Sequence, residues 1–172
     1  MVRRALITLR LVQTRRHVFQ LQDGDDAIAE IALHAGDRAT VITSDKRYDL
    51  EASDGIRRRV VKFGERNQTV ARSSSLGRFA ADLESTTLYW HALPGRGSAY
   101  CWMTADGLIA VRYAPSADGA ILVQVDNDTP LGLERDSLLI LGSYLIARTF
   151  REIGQPIERQ WSASLAFEDR PR

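Results

Sequence analysis

Lysine, cysteine and long apolar runs are all scarce in this chain of 172 residues. Cys101 is the single cysteine, and Lys46 and Lys62 are the only lysines among 23 basic side chains. A lone thiol makes no internal disulfide, so nothing points to a stapled, secreted scaffold. A chain of this length buries roughly 70% of its unfolded surface and needs neither staple nor metal to hold a core. Neither sign of charge dominates: 22 acidic side chains leave a formal charge of +1, which excludes histone-like and acidic-tail readings. The most apolar segment, Leu138–Ala147, is interrupted only by Gly142 and Ser143. As a helix it would rise about 15 Å, half of the roughly 30 Å hydrocarbon layer, so it is not expected to span a membrane. Near the N-terminus, Arg10, Arg15 and Arg16 break the apolar run before a signal-peptide core could form. That stretch shares the Arg-rich, acid-poor character of transit peptides, but its alternation from Leu6 to Val12 reads as a first β-strand.

What remains is 44% hydrophobic and 26% charged, the balance of one soluble globular domain. Twelve short segments have strand character: Leu6–Val12, His17–Gln22, Ala27–Leu33, Ala39–Ser44, Arg47–Ala52, Ile56–Phe63, Thr69–Ser73, Gly77–Leu83, Thr86–Ala92, Tyr100–Thr104, Leu108–Tyr113 and Ala120–Val125. Asp23-Gly24, Asp54-Gly55, Asp106-Gly107 and Asp118-Gly119 are hairpin dipeptides that punctuate them. No helix-length segment separates the strands, so a closed barrel or sandwich is expected rather than a βαβ sheet. The apolar segment then reads as one helix over 137–150. Asp136 or Ser137 is its N-cap, Arg148 and Arg151 suit its last turn, and Gly154 with Pro156 stops it. Apolar on nearly every face, such a helix must be enclosed on all sides, and a wide barrel needs a filler of this kind. The expectation is a single domain over 1–154 followed by a loose tail over 155–172.

This order and content resemble the tubby C-terminal-like superfamily, and within it the LURP-one-related proteins. The resemblance is carried by Phe19–Ile31 with its Asp23-Gly24 turn, Arg47–Leu50, Cys101–Val111 with Asp106-Gly107, and the closing helix Ser137–Phe150. It implies a mainly β fold, a twelve-stranded antiparallel closed barrel around a central C-terminal hydrophobic helix. Members include tubby-like proteins, which bind phosphoinositides, and phospholipid scramblases; many LURP-one-related proteins, bacterial ones especially, have no settled role. The scramblase features are not expected to carry over, since no proline-rich, cysteine-palmitoylated leader is read here and Cys101 is the single cysteine. Asp126-Asn127-Asp128 lacks the glycine and distal glutamate of an EF-hand.

No constellation of residues demands catalysis, so the chain is read as a non-enzyme with no cofactor. Gly-x-Ser-x-Gly is absent, and Gly142-Ser143 lies inside the apolar helix. His17, His34 and His91 are scattered without a paired-ligand spacing, so no metal site is expected. Gly95-Arg96-Gly97-Ser98 lacks the ending and the helix of a phosphate loop. Cys101, beside Trp102 in an apolar strand, reads as buried and inert.

Charge is the remaining signal. Residues 1–80 carry 15 basic and 10 acidic side chains, while residues 81–172 carry 8 and 12. The basic excess gathers in Arg3, Arg4, Arg10, Arg15 and Arg16, and in Arg57, Arg58 and Arg59 with Lys62, Arg66, Arg72 and Arg78. On a strand Arg57 and Arg59 take one face and Arg58 the other, so one side of the triplet needs a rim or a buried partner. Guanidinium forks donate paired hydrogen bonds to phosphate, which makes Arg57, Arg58, Arg59, Lys62, Arg15 and Arg16 the candidate site for an anionic phospholipid headgroup or phosphorylated ligand. Salt bridges to Asp45, Asp49, Glu51 and Glu65 on a solvated face account for the same residues without a ligand. The alternative function is a protein-interaction or self-associating barrel, with Trp161, Leu165 and Phe167 of the tail as a docking segment. Nucleic acid is not expected, because Tyr48, Trp90 and Trp102 sit in apolar strands rather than among the arginines. The expected location is cytoplasmic and peripheral at the membrane.

Overall fold

Short strands with tight turns between them can bury one face only by pairing side by side. The computed structural model describes residues 6–35, 38–44, 47–55, 58–63, 68–73, 79–82, 86–94, 99–126 and 135–153, and it is mainly β with one helix. The strands are β1 (Leu6–Arg15), β2 (Val18–Asp23), β3 (Asp26–Leu33), β4 (Arg38–Thr43), β5 (Arg47–Gly55), β6 (Arg58–Phe63), β7 (Gln68–Ser73), β8 (Phe79–Asp82), β9 (Thr87–Leu93), β10 (Ala99–Met103), β11 (Ile109–Pro115) and β12 (Ile121–Asp126). The helix α1 covers Arg135–Ile153. From β8 through β12, then β1 and on to β5, ten strands form one continuous antiparallel sheet in which β1 pairs with both β12 and β2. The backbones of β6 and β7 pair with each other and with β5 and β8, the outer strands of that sheet.

Several turns follow from their residues. Gly24, Gly107 and Gly119 adopt φ of 58°, 90° and 84°, the region where a Cβ is penalised. Three of the four expected Asp-Gly turns are therefore present. Asp54-Gly55 is not one of them: both residues belong to β5, in register with Arg59 and Arg58, because pairing with β6 continues to the end of the strand. The first strand runs to Arg15 rather than stopping at Val12, since β1–β2 pairing continues past an irregularity between Gln13 and Arg15. His17, expected to open the second strand, instead makes the turn at φ 64°.

The inward face is apolar. Leu9, Leu11, Phe19, Leu21, Ile31, Val41 and Leu50 are each at most 3% exposed and share one core with the helix. Burying a side chain of that size contributes about 1.5–3 kcal/mol. Leu138 to Leu141 and Tyr144 to Ala147 are all buried, so no side of that stretch of α1 meets water. The helix is longer than the expected 137–150. It continues to Ile153, which places Arg148 in its interior and buried rather than in a solvated last turn. The tail over 155–172 and the docking residues Trp161, Leu165 and Phe167 lie outside the described residues.

One contact governs how close the helix comes to the sheet. Tyr113 on β11 is buried, and its hydroxyl donates to the Leu139 carbonyl at 3.2 Å. A Cβ built on Gly142 would overlap that hydroxyl and crowd Trp102 Nε1. Trp90 adds to the aromatic cluster, 5.6 Å from Tyr100, 5.0 Å from Trp102 and 5.3 Å from Tyr113 between ring centres. Burial pushes the Tyr113 phenol far above its ordinary pKa, against a smaller opposite pull from Trp102 and Ser143. Overpacking a tight core costs about 1–3 kcal/mol or more. Gly142→Ala is therefore expected to lower stability by at least about 2 kcal/mol, read from urea unfolding. An unchanged midpoint would mean that α1 does not pack on Tyr113 as described.

Candidate ligand groove and the two charged ends

Of the six arginine and lysine positions singled out from the sequence, Arg15 and Arg16 are the two whose side chains are described. Arg57 and the side chains of Arg58, Arg59 and Lys62 lie outside the described residues. Backbone register nevertheless places them: Arg59 is opposite Asp54, Lys62 opposite Glu51 and Arg58 opposite Gly55. Arg59 is thus on the strand face of Val61 and Phe63, the partners of Ala52 and Leu50, and Arg58 and Lys62 are on the other. Arg15 ends β1 and pairs with Glu30 on β3 at 3.7 Å, and Arg16 is exposed in the following turn. Strands β2 to β5 separate β1 from β6.

Arg15, Arg16, Arg58 and Arg59 share an end of the sheet. In an antiparallel series, odd strands finish and even strands begin at the same end. Among the described residues, that end receives Arg15, Arg16, Arg38, Arg58, Arg59 and Arg72, against Asp54 and Asp118. Among the described residues, the opposite end receives Asp23, Asp25, Asp26, Asp82, Asp106 and Asp126, against Arg47 and Lys62. The charge division read along the chain is therefore a division between two ends: the cluster Asp23–Asp26 belongs to the basic half of the sequence but to the acidic end of the structure. Lys62, near the far end of β6, sits apart from Arg58 and Arg59. Asp118 is already engaged. The Ser116 hydroxyl and the Ala120 N–H, with Arg10 beside it, hold its carboxyl below the usual range.

A second feature had no signal in the linear sequence. Where the connection after β3 meets β4 and β5, His34, Arg38, Ala39, Thr40, Asp49 and Leu50 line a groove of about 450 Å³. His34 N–H donates to the Arg38 carbonyl at 2.7 Å across that connection. The neighbouring β1–β2 turn is tied on by Leu33 N–H donating to the His17 carbonyl at 2.8 Å. Alternation puts Arg38 and Thr40 on one face of β4, and register sets Thr40 opposite Asp49. Thr40 is only 8% exposed although Asp49 and Arg38 are exposed.

Polar contacts run through that hydroxyl. Thr40 Oγ1 donates to Asp49 Oδ1 at 3.2 Å, and His34 Nε2 lies 2.8 Å from the same Oγ1. A carboxylate only accepts and a hydroxyl has one proton, so the proton on Thr40 goes to Asp49 and His34 Nε2 must donate to Thr40. The chain fixes the imidazole as its Nε2–H form and links it to a negative charge. Asp49 Oδ1 also faces Arg47 Nε at 4.0 Å. In the sequence His34 reads as one of three scattered histidines and Asp49 as a surface ion-pair partner. Only strand register, which pairs position 40 with 49 across a hairpin, brings them together.

Elsewhere the chemistry is quiet. Cys101 is fully buried, and its thiol is pushed up to about 11 by burial, with Arg112 pulling weakly the other way, so it is protonated at neutral pH. Among the described residues no group of three His, Cys, Asp or Glu side chains could hold a metal, and no helix is long and apolar enough to cross a membrane. No family model, curated protein or solved structure matches the chain.

The direction of the hydrogen bonds is testable. The ¹⁵N shifts of His34 at alkaline pH should report the Nε2–H tautomer, and Thr40→Val should move the ring toward the mixture of an unrestrained imidazole. A dominant Nδ1–H tautomer in the unaltered protein would contradict the assigned chain.

Proposed function

We propose that this protein is a non-catalytic binding module that presents its arginine-bearing end to anionic phospholipid headgroups at a membrane surface. This reading takes the sheet, with β6 and β7 bridging its outer strands, as the twelve-stranded closed barrel around α1 that the tubby-like resemblance implies. The observation that carries it is the segregation of Arg15, Arg16, Arg38, Arg58, Arg59 and Arg72 from the aspartates at the opposite end. A molecule charged in this way turns one end toward an anionic surface by long-range attraction. Each basic residue held near such a surface adds about 1 kcal/mol, and guanidinium is the cation best shaped to receive phosphate oxygens. A core filled by an apolar helix leaves the outside of the sheet and its ends to do the binding.

Co-sedimentation with phosphatidylglycerol and phosphatidylcholine vesicles tests this. Binding is expected to the anionic vesicles only, to fall as salt screens the charges, and to weaken tenfold or more in Arg15→Gln/Arg16→Gln. Asp25→Asn/Asp26→Asn, at the other end, should not weaken it. Equal, negligible retention by both vesicle types at low salt would sink the proposal.

A protein-interaction or self-associating barrel has one observation in its favour. Ile28 and Ile42, on adjacent strands, are 38% and 48% exposed. Under that reading light scattering after size exclusion should show a dimer that Ile42→Lys returns to monomer. A monomer at all concentrations would remove it.

A further inference from the structure

The groove at His34, Arg38, Thr40 and Asp49 differs in kind from the charged end beside it. A site for a bare anion would not place a carboxylate in its wall, and the Asp49 side chain is 78% exposed. A site for a bare cation would not place Arg38 there. Arg38 lies opposite Glu51 and Thr40 opposite Asp49, so Arg38 and Asp49 are diagonal neighbours on one face of adjacent strands. Such neighbours stand about 7–8 Å apart at their Cβ atoms, close enough for one small molecule to reach both charges. Arg38 is exposed. The Thr40 and Arg47 contacts of Asp49 both fall on Oδ1, which leaves Oδ2 as an acceptor. The hydroxyl of Thr40, itself nearly buried, holds Asp49 and His34 in fixed relation, so the two walls of the groove are prearranged rather than assembled on binding.

We propose that this groove is a binding site for a phospho-amine, a phosphate and a primary ammonium joined by a two-carbon link, with the phosphate on Arg38 and the ammonium on Asp49. The surface-binding reading concerns attraction to any anionic membrane; the groove selects one headgroup chemistry. That chemistry occurs free, as in O-phosphoethanolamine, and in the bilayer, as in phosphatidylethanolamine. Paired opposite charges on the protein reject the partial ligands, because each leaves one protein charge facing a like or missing partner.

The test is titration of the ¹⁵N-labelled protein with O-phosphoethanolamine, inorganic phosphate and ethanolamine in parallel. O-Phosphoethanolamine is expected to shift the amide signals of His34, Arg38, Thr40 and Asp49 with a Kd at least tenfold below that of either fragment. Asp49→Asn should erase the preference over inorganic phosphate, and Arg38→Gln should abolish binding of both phosphates. Both positions are exposed, and unchanged thermal unfolding of the two variants confirms that the fold is intact. Equal Kd values for O-phosphoethanolamine and inorganic phosphate, no shift with any of the three, or a preference that survives Asp49→Asn would each overturn the proposal. A vesicle arm separates the two sources. Adding phosphatidylethanolamine to phosphatidylglycerol vesicles at constant anionic content strengthens retention if the groove reads the bilayer headgroup, and leaves it unchanged if the groove takes the free compound. Failure of all vesicle binding with intact O-phosphoethanolamine binding removes only the surface reading, and the reverse result removes only the groove.

Discussion

The close approach of α1 to β10 and β11 at Gly142 is the constraint on which the rest of the molecule depends. A helix that is apolar on every side has no stable place in water, and the sheet supplies the surrounding apolar face. The approach is set by the Tyr113 hydroxyl reaching the Leu139 carbonyl, and it is possible only because position 142 has no Cβ. The interruption of the apolar run by Gly142 and Ser143 is thus not a weakness in the helix. It is the contact surface of the helix.

Filling the interior in this way moves chemistry outward. Inward-facing side chains on β1 to β4, with Leu50 of β5, are committed to the core, so polar side chains collect on the outer face and at the strand ends. Antiparallel alternation then sorts the ends. A charge at a turn between β1 and β2 joins one between β3 and β4, however far apart the two are in the chain, while the turns between β2 and β3 gather elsewhere. Among the described residues, a near-neutral composition divides into one cationic and one acidic end, and the groove at Thr40 adds a place where both signs stand on a single face.

Much of the fold was legible because its signals are local. Asp-Gly dipeptides mark turns through the φ tolerance of glycine, and Gly24, Gly107 and Gly119 obey it. The exception at Asp54-Gly55 shows the limit: whether such a dipeptide turns or continues depends on the register with the next strand, which is not a local property. The helix ends were misjudged for a related reason. Capping and charge rules assume solvent at the termini, but the enclosure of α1 keeps Arg148 inside. The arginine triplet reads as alternating between faces, but that Asp54 stands opposite Arg59 is set only by the strand pairing.

By itself the sequence determined a mainly β chain with an apolar helix near its end, because period, turn chemistry and hydrophobicity act over a few residues. It also determined the amounts of charge available. Only the tertiary structure decided where those charges meet, since cross-strand register and the alternation of strand direction act between residues distant in the chain. His34, Thr40 and Asp49 became one hydrogen-bonded chain by pairing of β4 with β5, and Arg15 and Arg58 came to one end by strand direction alone.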